Sequence, residues 1–388
     1  MMRTFTRGLS LALALALPLS LTAPAARAQD ANPVSPGLNE AALPGVMEKA
    51  VTGFIRPGYA ALTASTQALG TATQTLCASP SKDNLNAARK AFNDVVAKWS
   101  RVEILRVGPA LEENRFERFL FFPDRKGLAL KQLQAILSTK DKTALTAEGL
   151  KGKSVAIQGL GPLEYLLYGT GNETLATGDD FRCRYAMAIA ANLGSIASEF
   201  EAAWKAPGGI GDAWMKPGAN NPVFRTPQEA AGALLGVLVH GAETVQDQRI
   251  RVFFGGGATP ISAEPNATGK DPIRDKPKSA PYWRSANTFP SIADNLQGLS
   301  DLFAISDMAT LLPEGDASIA GSIAFVFRSA TTAARAINAP VDAALADPDL
   351  RGKITFLELN TNDLVDRLNH DFGGAIGLGA GFSFADGD

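Results

Sequence analysis

The sequence predicts an all-α protein of more than one domain. Apolar residues recur at three- and four-residue spacing along almost the whole chain, and helix start and stop signals bracket those stretches. No segment alternates apolar and polar residues for long enough to build a sheet. Removing an expected leader leaves about 360 residues, more than one core usually supports, so two domains are the expectation.

The leader is residues 1–28. Arg3 and Arg7 give a positive start, Leu9 to Leu21 is an apolar run interrupted by Pro18, and Ala26-Arg27-Ala28 offers small residues at both recognition positions of a signal peptidase. The run is shorter than the roughly 20 residues a spanning helix needs, so the expectation is cleavage before Gln29 rather than a membrane anchor. No cysteine lies near the cut to carry a lipid. The mature chain is expected in the periplasm or outside the cell, with no transmembrane segment.

Helices follow in order. Leu38 to Ile55 and Tyr59 to Leu76 carry apolar stripes that Pro57-Gly58 should separate. Ser81 can cap a long helix to Arg106, with Leu85, Phe92, Val95, Val96, Trp99 and Val102 on one face and Gly108-Pro109 beyond it. Further stripes run over Leu128 to Leu137, Ser154 to Tyr168 and Phe181 to Trp204. Thr226-Pro227-Gln228-Glu229 reads as a capping box with proline in the first helical turn, opening a helix to Phe254. Pro290 to Phe303, Asp316 to Ile337 and Pro348 to Phe372 complete the set. Gly169 to Asp180, rich in Gly, Thr and Asp, is the expected boundary between an amino-terminal domain, 29–175, and a carboxy-terminal one, 176–388. The second carries a long irregular insertion, 255–281, read as a solvated excursion or a lid.

Charge and cysteine usage narrow the function. The full chain has net charge −2, and loss of three leader arginines leaves 34 cations against 39 anions. That acidic balance argues against a nucleic-acid partner, which requires a basic face. Cys77 and Cys183 are the only cysteines. In an oxidising compartment one disulfide is the economical reading, and two separate buried thiols the other.

Residues Gln158 to Gly169 read QGLGPLEYLLYG. This resembles the signature of imelysin-like proteins, a G-x-H-x-x-E pattern running into a stretch like EYLLFG. Glu164 matches the glutamate, whereas Gly161 stands where the pattern has histidine. Trp99, Glu103, Arg106 and Gly108-Pro109 are similar to other family stretches, as are Arg115 to Arg118, Phe121 to Asp124, Arg182 to Ala186, Trp283-Arg284-Ser285 and the ending GAGFSFADGD. The resemblance covers nearly the whole mature chain and points to a subgroup with a histidine-less motif. It implies two four-helix bundles from an internal duplication, with the signature near their interface. It also implies a link to iron acquisition and, from founding members, metallopeptidase activity.

Histidine and glutamate three residues apart share a helix face and can bind one metal. Here only Glu164 of that pair remains, and the chain has two histidines in all. His240 and Glu243 repeat the spacing further along. With Glu164 they are the weak metal candidates for a divalent ion or iron, and surface packing is the plainer reading. His370 sits where an imidazole favours a helix carboxy terminus. No H-E-x-x-H, G-x-S-x-G or phosphate-cradling glycine loop occurs. Glu164 lies among Leu160, Leu163, Leu166 and Leu167, and a carboxylate buried there needs a cation or a metal. Arg106 is the favoured partner and Arg118 the other. Trp99, Glu103 and Gln158 complete the ligand-binding candidates. The arrangement is either a structural ion pair or a cleft for a small ligand, peptide or metal.

Three functions follow: a non-catalytic binding or accessory protein tied to iron uptake, a metallopeptidase with a displaced site, or a partner module whose groove receives a helix. The missing histidine favours the first.

Overall fold

Among the described residues, 37–256 and 274–381 of a computed structural model, every regular element is helical. The leader with its cleavage site, residues 257–273 of the insertion and the last seven residues lie outside them. Residues Ser35–Asp388 form one contact unit.

The first helix departs from expectation. α1 (Leu43–Lys49) runs through a π-helical turn (Ala50–Ile55) directly into α2 (Arg56–Ala78), with no break at Pro57. The Arg56 amide bonds Val51 O, five residues back. The widened turn ends just before the proline, which sits in the first turn of α2, where its missing N–H and its ring are accommodated. α3 (Lys82–Val102) starts as expected, with Ser81 Oγ accepting from the Asn84 amide, and ends at Val102 instead of Arg106.

Short helices α4 (Arg115–Phe119), α5 (Leu128–Thr139) and α6 (Ala147–Lys151) lead to α7 (Leu160–Tyr168). The stripe from Ser154 is not one helix. A 3-10 turn (Val155–Ile157) precedes α7, and Gly159 separates the two because a β-carbon there would stand 2.2 Å from Phe119 O. Then come α8 (Asp180–Lys205), α9 (Ile210–Met215) and α10 (Pro227–Thr244), the last prolonged by a π turn (Val245–Ile250). Thr226 Oγ1 accepts from the Glu229 amide as a capping box requires, while the Glu229 carboxylate accepts from Arg225 N, one residue before the cap. α11 (Thr288–Ile305), α12 (Ala317–Arg335), α13 (Val341–Ala346), α14 (Pro348–Asp366) and α15 (Gly373–Ile376) complete the chain.

Packing sorts the long helices into two groups. α2 lies against both α3 and α8, and α11 against α12, which meets α14, with α10 against α14 and α11. The seam is α3 on α11. There the backbones approach so closely that a β-carbon on Gly298 would stand 2.3 Å from Arg101 O, so the crossing requires glycine. Asn295 Nδ2 donates to Ser100 O at 2.6 Å beside it, and Arg101 pairs with Asp301 across the same seam. α8 lies with the amino-terminal helices. Its closest packing is thus with α2, across the residue-175 position in sequence.

Cys77 and Cys183 form a disulfide, with Cα atoms 5.6 Å apart, tying the end of α2 to the start of α8. It closes a loop of sequence separation 106, for which chain entropy gives a stabilisation of about 4–5 kcal/mol. A Cys77→Ser/Cys183→Ser variant is expected to lose that amount in urea unfolding. An unchanged midpoint would contradict it.

Candidate functional site

Glu164 sits on the inner face of α7, and its side chain is 5% exposed. Its Oε1 accepts from both the amide and the hydroxyl of Ser285, each at 2.9 Å, and Oε2 lies 3.9 Å from Nη1 of Arg284. The turn that supplies these groups is strained. Tyr282 and Ala286 both adopt left-handed conformations, φ 53° and 57°, at a cost of order 1–2 kcal/mol per residue. The Asn287 amide donates to Tyr282 O at 3.2 Å and holds that geometry. Burial pushes the Glu164 carboxyl above its ordinary value of about 4.5, against the opposing pull of Ser285 and Arg284. Burial likewise lowers the Arg284 guanidinium.

Glu164 opens onto a cavity of about 660 Å³. Its walls are the Leu120–Leu133 segment, the first turn and a half of α7, the π turn after α10, and residues 276–284. Phe121, Phe122, Tyr165, Tyr282 and Trp283 give it aromatic faces. The stems of the insertion are clamped behind it. Asp275 accepts from Gly255 N at 2.8 Å and from Arg351 Nη1 at 2.6 Å, Arg351 Nη2 donates to Gly256 O at 3.2 Å, and Lys276 N donates to Phe253 O at 2.8 Å.

The other expected site residues fall into separate constellations. Arg106 is not the partner of Glu164. It lies over the Phe116 ring, 4.2 Å from its centroid, with Glu117 at 3.9 Å, because α3 ends before reaching it. Arg118 is not the partner either. Its Nε donates to Gln158 Oε1 at 3.1 Å and its Nη2 to Asn192 Oδ1 at 3.3 Å, while Gln158 Nε2 donates to Lys153 O at 2.6 Å. Glu103 is held by Nε and Nη2 of Arg249, at 3.2 and 3.0 Å, and by Asn295. Both members of that pair are almost fully buried. Trp99 stacks on Phe119 at 4.3 Å as core.

His240 and Glu243 touch, at 2.8 Å, but lie outside the pocket, and the other ring nitrogen of His240 is 3.2 Å from Ala380 O. Arg284, Ser285 and Tyr282 were not among the sequence candidates. The signal was the family-like Trp283-Arg284-Ser285 stretch, whose link to Glu164 spans 121 residues.

The chain matches the imelysin family over residues 55–368. This chain belongs to the imelysin family. It is 23% identical over 332 residues to iron-regulated protein A of Synechococcus elongatus, covering 81% of this chain and 82% of that protein. An imelysin-like protein from Psychrobacter arcticum superimposes with a TM-score of 0.70 at 19% identity, covering 89% of this chain and 98% of that one. An iron-regulated protein A precursor from Parabacteroides distasonis gives 0.68 at 16%, covering 87% and 95%. The two structural likenesses establish the shared fold.

The metal implied by the imelysin signature does not fit the residues here. Gly161 faces the cavity, and a β-carbon on it would meet nothing within 4 Å, so the space for a histidine is present without the ligand. Among the described residues no three His, Cys, Asp or Glu side chains converge, and Arg284 occupies the Glu164 flank where a cation would bind. A catalytic zinc ordinarily takes three protein ligands.

Removing one partner of the buried pair by Arg249→Met should cost about 3–5 kcal/mol in denaturant unfolding, because Glu103 is left charged and unpaired. Adding Glu103→Leu should recover a large part of that loss. Equal costs in single and double variants would contradict the pairing. Glu164 makes stability depend on pH. A carboxyl whose folded value is raised holds its proton after the unfolded chain has released it. Stability therefore falls as pH rises from the ordinary value of about 4.5 toward the folded one. Glu164→Gln should flatten that slope, and its stability relative to wild type should rise across the same window. Parallel curves would show that Glu164 titrates normally.

Proposed function

We propose that this chain is a non-catalytic binding or accessory protein of the extracytoplasmic space, linked to iron handling, that holds a small ligand in the Glu164 pocket between its two helical groups. One observation carries the reading. The signature glutamate is a buried carboxylate in the wall of a 660 Å³ cavity, a size suited to a small molecule. Its known partners are a backbone amide, a hydroxyl and an arginine, which orient a carboxyl group rather than complete a hydrolytic metal site. The leader-like residues 1–28 and the Cys77–Cys183 disulfide support an oxidising compartment. No described helix is long and apolar enough to cross a membrane. The name of the cyanobacterial relative supports the connection to iron.

The test is native mass spectrometry of protein recovered from its producing cells without an affinity tag, beside a Gly161→Phe variant that fills the cavity. A small molecule is expected on the wild type and not on the variant. Metal-dependent cleavage of casein, abolished by Glu164→Ala or His240→Ala, would instead establish a peptidase.

A further inference from the structure

The cavity walls carry more positive charge than their own acids offset. Asp124 spends both carboxylate oxygens on the amides of Leu128 and Ala129, and Arg251 is matched by Asp247 and Glu358. Lys276 and Lys278, on the stem the clamp holds against the pocket, make no ion pair with any described acid. Arg284 is the innermost cation. Its guanidinium lies over two rings, 4.3 Å from the Trp283 centroid and 5.3 Å from Tyr165, which fixes the plane of the fork. Glu164 Oε2 lies 3.9 Å from Arg284 Nη1, beyond hydrogen-bond range, and no described residue accepts a hydrogen bond from the fork. The side chain is 20% exposed toward the cavity it lines.

A planar guanidinium with free paired donors is shaped for a two-oxygen anion. Phe121, Leu130 and Leu133 in the same cavity wall suit a flat apolar body. We propose that the pocket takes a small organic carboxylate with a flat apolar body, its carboxylate received by the Arg284 fork and steered by Lys276 and Lys278. This rests on the ligand-pocket reading and names its ligand class. Inorganic phosphate would satisfy the fork but leave the aromatic walls unused, so the carboxylate is the better match.

Isothermal titration of the mature protein with 2-naphthoate, its neutral analogue 2-naphthamide and sodium phosphate tests it. Naphthoate should bind at least about ten-fold more tightly than the amide, the difference expected for a charge-assisted pair, and phosphate should give no heat. Arg284→Met should lower naphthoate affinity by a similar factor and leave the amide unchanged. Because that variant uncouples Glu164 and could unfold, Lys276→Ala/Lys278→Ala provides a second readout, a few-fold weaker naphthoate binding with a shallower salt dependence. Equal affinity for acid and amide would overturn the carboxylate class while leaving the pocket reading intact. Phosphate binding in preference to naphthoate, or absence of naphthoate binding, would also overturn it. The pocket reading fails separately, if the Gly161→Phe variant retains the same bound mass as wild type.

Discussion

The buried pair of Glu103 and Arg249 is the constraint on which the rest of the arrangement depends. It joins the end of α3 to the π turn after α10, and Asn295 brings α11 to the same carboxylate. Two charges out of water are tolerable only when their hydrogen-bonding groups meet, so the three elements have little freedom to slide. The consequence reaches the pocket through Phe122, whose ring lies 4.9 Å from the Arg249 guanidinium and forms part of the cavity wall. Burial pushes the hydroxyl of Tyr282, another wall residue, well above its ordinary value, and the charges of Glu103, Arg249 and Glu164 act on it as well. The shape of the Glu164 cavity is thus inherited from electrostatics one layer deeper.

Close backbone contact does the complementary work. Gly298 lets α11 settle onto α3, and Gly159 lets the start of α7 settle against the end of α4. The second contact fixes where α7 begins, and therefore which face Glu164 presents. From there the strained turn at Tyr282 and Ala286 brings the Ser285 amide to the carboxylate. Each step converts a local sequence choice into the position of one side chain.

Helix content was legible because amphipathic periodicity is a short-range property that core packing must respect. Ser81 and Thr226 marked real helix starts because capping is local too. Pro57 misled for the opposite reason: whether a proline ends a helix depends on whether the preceding turn can widen, and tertiary packing decides that. Glu164 could be singled out from its apolar flanks alone. Its partner could not, since Arg284 lies 120 residues on and Glu103 finds Arg249 across 146. Arg106, on the family-like stretch with Trp99 and Glu103, was the expected partner, but motif and nearness along the chain say little about which charges share a core.

The clamp of Asp275, Arg351 and Gly255 gives α14 a hold on the site from a distance. α14 contributes no residue to the cavity wall, yet its Arg351 binds both described stems, at Gly256 and at Asp275, and the chain from Lys276 runs on into the turn that carries Ser285. A helix remote from Glu164 thus sets the footing of the segment that supplies its partners, and a substitution at Arg351 reaches the carboxylate without touching it.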